Sequence, residues 1–272
     1  MKLDEQVGPR LHPTAEVHPS AELGHNIEIG PYSIIGPDVV IGDGCIIDSH
    51  VVIDRYTTIG AGCRIYSHTA LGGIPQDMKF KNERSFLIIG DNNTIREFAT
   101  LHRATGESAS TVIGHNNHLM AYCHVGHNCI LGNNITMANS VGISGHCHVE
   151  DRVVFGGMVG VHQFVRVGKS AFIGGLSKIV QDIPPYMAAD GHPARVFDIN
   201  RVGLRRAEIS KEVRDSLKAA CKLLYRSPSL NTSQALQVIE EEIEPSPEID
   251  YLIQFIQQMR QGFGGRQMER RS

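Results

Sequence analysis

The chain has 272 residues, a formal net charge of −3, 28 glycines, six cysteines and no tryptophan. That length admits one long domain and a small one, with enough residues to bury a sizeable core, and the near-balanced charge supplies no global field for nucleic acid. No run approaches the roughly eighteen apolar residues of a membrane span, and the opening Met-Lys-Leu-Asp-Glu-Gln has no apolar stretch after its charge, so a cytoplasmic protein without a leader is expected.

From Val17 onward a large aliphatic residue recurs at every sixth position: Val17, Leu23, Ile29, Ile35, Ile41, Ile47, Ile53, Ile59, Ile65 and Leu71. Two places before each stands a small or β-branched residue, among them Ala15, Ala21, Ser33, Val39, Cys45, Thr57, Cys63 and Thr69. The count resumes at Ile89, Ile95 and Leu101, and again from Ile113 through Ile179. A period of six is neither the helical 3.6 nor an alternating strand. It marks a parallel β-helix in which about three hexads make one triangular coil, the aliphatic column filling the prism and coils stacking ~4.8 Å apart. Glycine often follows the aliphatic residue, which predicts corner turns with φ > 0 at that position. Five cysteines (Cys45, Cys63, Cys123, Cys129, Cys147) fall on the small column, and no C-x-x-C pair occurs, so they are read as reduced small hydrophobes.

The β-helix is expected over residues 11–190, with two excursions at 72–86 and 102–111. The in-register positions there are Asp77, Glu83 and Glu107, which cannot fill an apolar interior. A C-terminal helical domain is expected over 196–272. Its first stripe is Ile209, Val213, Leu217, Cys221 and Leu224, with Ser210 as cap. A second helix carries Leu236, Ile239 and Ile243, and a third begins at Ser246-Pro247. Residues 262–272 read as a frayed end. Eight Lys/Arg against three acids between 201 and 226 give either a solvated face or a dock for an acidic or phosphate-bearing partner.

Histidines 124, 127, 146 and 162 are related by coil arithmetic. His127 projects onto 145 one coil later and 163 two coils later, so His146 and His162 each fall one place from its column. Imidazoles gathered along one edge can bond backbone, hold a metal between subunits, or act as a general base. The last is favoured by an unperturbed pKa near the working pH.

The segments Met-Ala-Tyr-Cys-His124-Val-Gly-His127, Ser-Gly145-His146, Val-His162-Gln163-Phe, Gly174-Gly175 and Gln76-Asp77-Met-Lys79, with Gly-Leu-Arg-Arg in the tail, resemble the acyl-carrier-protein–UDP-N-acetylglucosamine O-acyltransferase family. The resemblance implies a left-handed β-helix, a homotrimer with sites between subunits, and transfer of an R-3-hydroxyacyl chain from acyl-carrier protein to the sugar 3-hydroxyl, the first step of lipid A biosynthesis. It implies no metal and no dissociable cofactor, the donor carrying its own phosphopantetheine. By the same resemblance His127 matches the catalytic base and the Gly145 N–H the oxyanion donor. His124, His146, His162 and Gln163 match substrate contacts. Asp77 and Lys79 match loop residues that meet the sugar-nucleotide, and Asn200 and Arg206 match residues that hold the nucleotide. Gly175 matches the position that limits acyl length. One departure stands out: Asn128 occupies the place where the family carries an Asp that orients the base.

Related readings are the later N-acyltransferase of the same pathway, which carries a separate domain before its coils, and a coenzyme-A-dependent sugar acetyltransferase. Readings of a different class are a zinc carbonic anhydrase of the γ type and a non-catalytic trimeric scaffold.

Overall fold

The computed structural model describes residues 8–261 and 265–271. Residues 1–7, on which the leaderless reading rests, lie outside them. The repeat winds as a left-handed parallel β-helix, its two- to four-residue strands, with a longer-stranded hairpin at the end of the first sheet, forming three sheets of 11, 9 and 8 strands. The chain visits the first, second and third sheets in turn: Arg10–Leu11, Glu16–Val17, Glu22–Leu23, then back to Glu28–Ile29. Partners in successive coils are 18 residues apart, as with Ile29 and Ile47. The step is 30 at the first excursion (Ile65 opposite Ile95) and 24 at the second (Ile95 opposite Leu119), so the loops insert 12 and 6 residues without disturbing the hexads. Strands Ala70–Gly73 and Phe86–Ile89 trim the first loop to 74–85, and Thr100–His102 and Ser110–Ile113 trim the second to 103–109.

The aliphatic column is the core. Ile29 through Leu71 and Ile113 through Ile179 are at most 2 % exposed at those positions. The small column sits at the inner side of each corner and satisfies a carbonyl there. The thiols of Cys45, Cys129 and Cys147 donate to the carbonyls of Gly60, Ser144 and His162 at 3.0–3.2 Å, and Ser33 Oγ to that of Asp48 at 2.7 Å. Asn93 and Asn117 occupy the same column, each bonding corner backbone in neighbouring coils. A small polar group that reaches one carbonyl explains this choice better than size alone.

The glycine after the aliphatic residue is there for a different reason from the one expected. Gly30, Gly36, Gly42 and Gly60 do not have positive φ; the positive-φ residue lies two places further on, as at Tyr32, Asp38, Gly44, Asn128 and His146. What excludes a side chain at the earlier place is contact between coils. A Cβ on Gly42 would lie 2.7 Å from Ala61 N, and one on Gly30 2.8 Å from the Asp48 carbonyl carbon.

The boundary expected between 190 and 196 falls inside an antiparallel hairpin, Met187–Gly191 with Ala194–Ile199, which extends the first sheet and closes the end of the prism. No hexad marks it, because an end cap has no coil above it to match. Four helices follow: α1 (Arg201–Arg206), α2 (Lys211–Arg226), α3 (Thr232–Glu242) and α4 (Pro247–Gln261). The short α1 breaks no period in the sequence and was not anticipated. Ser210 and Ser246 accept the N–H groups of Val213 and Ile249 at the starts of α2 and α4, and Asn231 with Gln234 forms a capping box on α3. Leu217, Leu236, Ile239, Leu252 and Ile256 make a second core against Tyr186, Met187 and Ile199. Of the terminal stretch expected to fray, 265–271 forms a 3-10 turn whose Arg266 N–H reaches Asp182; 262–264 and 272 lie outside the described residues.

Two substitutions separate the glycine roles. Gly42→Ala should cost about 1–3 kcal/mol, because backbone rather than a flexible side chain must move. Gly44 has φ +69° and open space around its Cβ position, so Gly44→Asn should cost little. Chemical denaturation of both variants checks this, and equal losses would contradict it.

Candidate functional site

Along the second sheet one outward column becomes bare. Thr100, His124, Gly142, Gly160 and Lys178 stand opposite one another in successive coils. A Cβ at Gly142 or Gly160 would meet nothing within 4 Å. His124, Gly142, Gly160 and Lys178 floor a cleft of about 570 Å³ whose walls include Gln76, His102, His127, Ser144, Gly145, His162 and Gln163. The cleft follows the corner between the second and third sheets; His124, His127 and His162 line it, whereas His146 stays out of its lining and packs against the His127 ring.

His127 is half-buried, and hydrogen bonding fixes its tautomer. The Asn128 amide bonds Thr105 twice: its Oδ1 accepts the Thr105 N–H (2.9 Å) and its Nδ2 donates to the Thr105 carbonyl (3.0 Å). Backbone groups have fixed roles, so the amide cannot be flipped. The same Oδ1 lies 2.8 Å from His127 Nδ1 and only accepts, so in the neutral ring Nδ1 carries the proton and Nε2 presents a lone pair. Asn128 itself has φ +58° and is held by a third bond, from its N–H to Thr111 Oγ1.

Gly145 lies beneath the free nitrogen. A Cβ there would come within 2.6 Å of His127 Nε2, so only glycine admits the ring in this place. Its carbonyl takes the Phe164 N–H, while its own N–H meets no protein acceptor among the described residues. At the corner between the third and first sheets the corresponding N–H groups are capped by a side chain of the next coil. His25 N–H is bound by Asp43, His115 N–H by Asn133 and Asn133 N–H by Asp151, at 2.7–2.8 Å. At the second-to-third corner no such cap reaches Gly145 among the described residues, which leaves a donor beside the His127 ring.

Burial favours the neutral form of the flanking rings. His124 Nδ1 pairs with Thr100 Oγ1 at 2.8 Å, and burial lowers its pKa. His146 packs edge-on to His127 at 5.1 Å between centroids and stacks on Phe164 at 4.6 Å; desolvation lowers its pKa as well. His102 packs edge-on to His124, and burial pulls its pKa down to about 4. From the first loop Asp77 accepts the Lys79 N–H at 2.9 Å, which lowers its carboxyl pKa. His162 and Gln163 line the far wall.

Not every predicted residue joins this cleft. Asn200 is 7 % exposed, and its side chain is taken up by the fold: Oδ1 accepts the Gly203 N–H as the cap of α1 and Nδ2 donates to the Ser170 carbonyl. Arg206 is exposed and lines a separate depression with Asn134, Arg152 and Ser170, at the corner between the third and first sheets. Gly175 lies exposed at the corner between the first and second sheets, its Cβ position 3.2 Å from the Gly157 carbonyl oxygen. His102, Gln76 and Lys178 line the cleft without having been assigned a role from the sequence. Lys178 could have been found by stepping eighteen residues at a time from His124; His102 required knowing that the second loop inserts six.

Burial raises the Cys123 thiol to about 11, and the neighbouring Cys129 thiol together with burial pushes Cys147 up, which leaves both poor nucleophiles. Among the described residues no group of three or more His, Cys, Asp or Glu is placed to hold a metal ion.

Family models match two parts of the chain: UDP-N-acetylglucosamine O-acyltransferase, domain 2, over residues 182–264, and bacterial transferase hexapeptide repeats over 20–55. An acyl-[acyl-carrier-protein]–UDP-N-acetylglucosamine O-acyltransferase of Gloeothece citriformis is 42% identical over 202 residues, 74% of this chain and 72% of that protein. The enzyme of the same name from Burkholderia orbicola is 42% identical over 209 residues, 75% and 79% of the two chains. The solved LpxA of Acinetobacter baumannii superimposes with a TM-score of 0.87 at 43% identity, covering 91% of this chain and 96% of that one. LpxA of Bacteroides fragilis, a UDP-N-acetylglucosamine acyltransferase, gives 0.88 at 40% identity, covering 90% and 96%.

The depressed histidines set a direction for stability against pH. Between the ordinary histidine value near 6.5 and the folded value of about 4, the unfolded chain binds a proton at His102 that the native chain does not, so stability falls as pH drops through that window. His124 and His146 act in the same sense. His102→Gln should therefore lose less stability than the parent between pH 7 and pH 5 in urea titrations. Parallel losses would show that His102 titrates normally.

Proposed function

The chain belongs to the acyl-[acyl-carrier-protein]–UDP-N-acetylglucosamine O-acyltransferase family, and on that premise we propose that His127 is its general base and the Gly145 N–H its oxyanion donor. The enzyme moves an acyl chain from acyl-carrier protein to UDP-N-acetylglucosamine and so begins lipid A biosynthesis. The observation that carries the residue assignment is the pairing of a lone pair at His127 Nε2 with an uncapped N–H at Gly145 in one cleft.

A secondary alcohol is a weak nucleophile near neutrality. In this reading the sugar 3-hydroxyl gives its proton to Nε2 as its oxygen attacks the thioester carbonyl. The carbonyl oxygen gains charge and is met by the Gly145 N–H, which is already aimed and costs no reorganisation. Collapse of the tetrahedral intermediate breaks the C–S bond, and the imidazolium returns its proton to the departing phosphopantetheine thiolate. Neutral His124 and His146 place donors and acceptors along the sugar without adding positive charge near the base. Asp77 and Lys79 close over the sugar-nucleotide from the first loop, and His162 and Gln163 hold it from the far wall.

An R-3-hydroxyacyl chain fits the bare floor. From His127 the trough over Gly142 and Gly160 leads along the second sheet toward the corner that bears Gly175. Arg206 sits at a different corner of the prism from His127, so a nucleotide touching both needs two copies of the chain. That separation supports a homotrimer with sites between subunits, as does the exposed apolar ridge of Tyr32, Phe98, Tyr122, Met158 and Leu176 beside the second sheet. The basic residues of α1 and α2 suit an acidic carrier protein. Among the described residues no helix is long and apolar enough to cross a membrane, and all six cysteines are free and buried, which agrees with a reducing cytoplasm.

His127→Ala should reduce acyl transfer by about 10²-fold or more while leaving thermal unfolding near that of the parent. Near-normal turnover would remove His127 from the chemistry. Gly175→Met should shift preference toward shorter acyl chains across a carrier-bound donor series; an unchanged order would count against its role in acyl length.

A further inference from the structure

The Asn at position 128 is locked by the second loop. Its amide meets both backbone polar groups of Thr105 at once, accepting from the N–H at 2.9 Å and donating to the carbonyl at 3.0 Å. Only a carboxamide satisfies this pair. A carboxylate keeps the first bond but turns an oxygen toward the Thr105 carbonyl, where two acceptors repel. The loop that contributes Thr105 is itself fixed to its neighbours, through Ala104 N–H to the Phe86 carbonyl and Gly106 N–H to Glu83. The loop backbone therefore selects an amide, and the amide orients the imidazole.

We propose that Asn128 is a positioning residue that fixes the Nδ1–H tautomer of His127 through a neutral acceptor, so that the base works without an adjacent carboxylate. This rests on the reading of His127 as general base. A neutral acceptor orients the ring as a carboxylate does but gives the imidazolium no compensating charge. The groups that face His127 from other elements are His146 on the next coil, His124 on the same coil, His102 on the preceding coil and Asp77 on the first loop, with Lys79 beyond His146. Three of these five are imidazoles held toward neutrality, so Asp77 is the one anion in the set. The expected consequence is a rate profile that stays active further into acid than one with a carboxylate at 128.

The test uses the full-length protein and the variants Asn128→Asp and Asn128→Ala. The pH dependence of kcat/KM is measured with UDP-N-acetylglucosamine and a carrier-bound acyl donor. In parallel, ¹⁵N spectra of histidine-labelled protein without substrate are assigned by comparison with His127→Gln. The parent should show a protonated Nδ1 and an unprotonated Nε2 at His127. In Asn128→Asp that tautomer should persist while the acid limb of kcat/KM moves to higher pH. In Asn128→Ala kcat should fall by roughly tenfold or more with KM little changed, and the ring should populate both tautomers. A parent spectrum with Nε2 protonated, an acid limb that does not move in Asn128→Asp, or full kcat in Asn128→Ala would each overturn the proposal. If His127→Ala keeps its activity, the base assignment fails instead; the substrate-free spectra still report on the Asn128 contact alone.

Discussion

The fold rests on one repeated contact: a backbone N–H in one coil bonds the carbonyl directly above it. Gly126 N–H meets the Ile143 carbonyl and Gly142 N–H the Val159 carbonyl, each at 2.8 Å. This ladder leaves no room for slack, since each coil must stack on the next at the strand spacing. Corner glycines are needed because coils approach too closely there for a Cβ. The two loops add 12 and 6 residues, whole hexads, and the aliphatic column resumes in register after each. The positions of His127, Gly145 and Gln163, which lie one and two coils apart, follow from the same ladder.

A scaffold of this kind makes a site by omission. At the third-to-first corner the N–H groups of His25, Ala61, Asp91 and His115 are capped by Asp, Asn or His from the adjoining coil. At the second-to-third corner the cap is missing at Gly145 and the column is stripped to hydrogen at Gly142 and Gly160. The removed atoms leave a trough, one free donor and one oriented imidazole on a backbone too rigid to collapse onto them. Preorganised polarity of this sort stabilises developing charge without rearrangement. The loops add what coils cannot: Thr105 sets the Asn128 amide, and Asp77 brings the anion.

Much of this is visible in the sequence because the repeat converts position into geometry. The six-residue period gives the prism, and an eighteen-residue step brings His127, His146 and His162 to one edge. Arithmetic fails where the ladder is interrupted. His102 escaped notice because the step across the second loop is 24, and the hairpin at 187–199 because a cap has no repeat to match. The glycine pattern was legible but pointed to the wrong cause, since positive φ and close approach both favour glycine and only coordinates separate them. Asn200 matched its motif in the sequence, yet in one chain it is occupied as a helix cap, and Arg206 faces another corner. Residue matching finds side chains but not which copy of the chain presents them.

The account is tested most directly by a crystal structure of the protein with UDP-3-O-acyl-N-acetylglucosamine, the reaction product. It predicts the ester oxygen at the sugar 3-position within hydrogen-bonding distance of His127 Nε2, the ester carbonyl aimed at Gly145 N–H, and the acyl chain lying over Gly142 and Gly160. An ester bound at another corner, or one whose carbonyl turns away from Gly145 while His127 contacts only solvent, would contradict it.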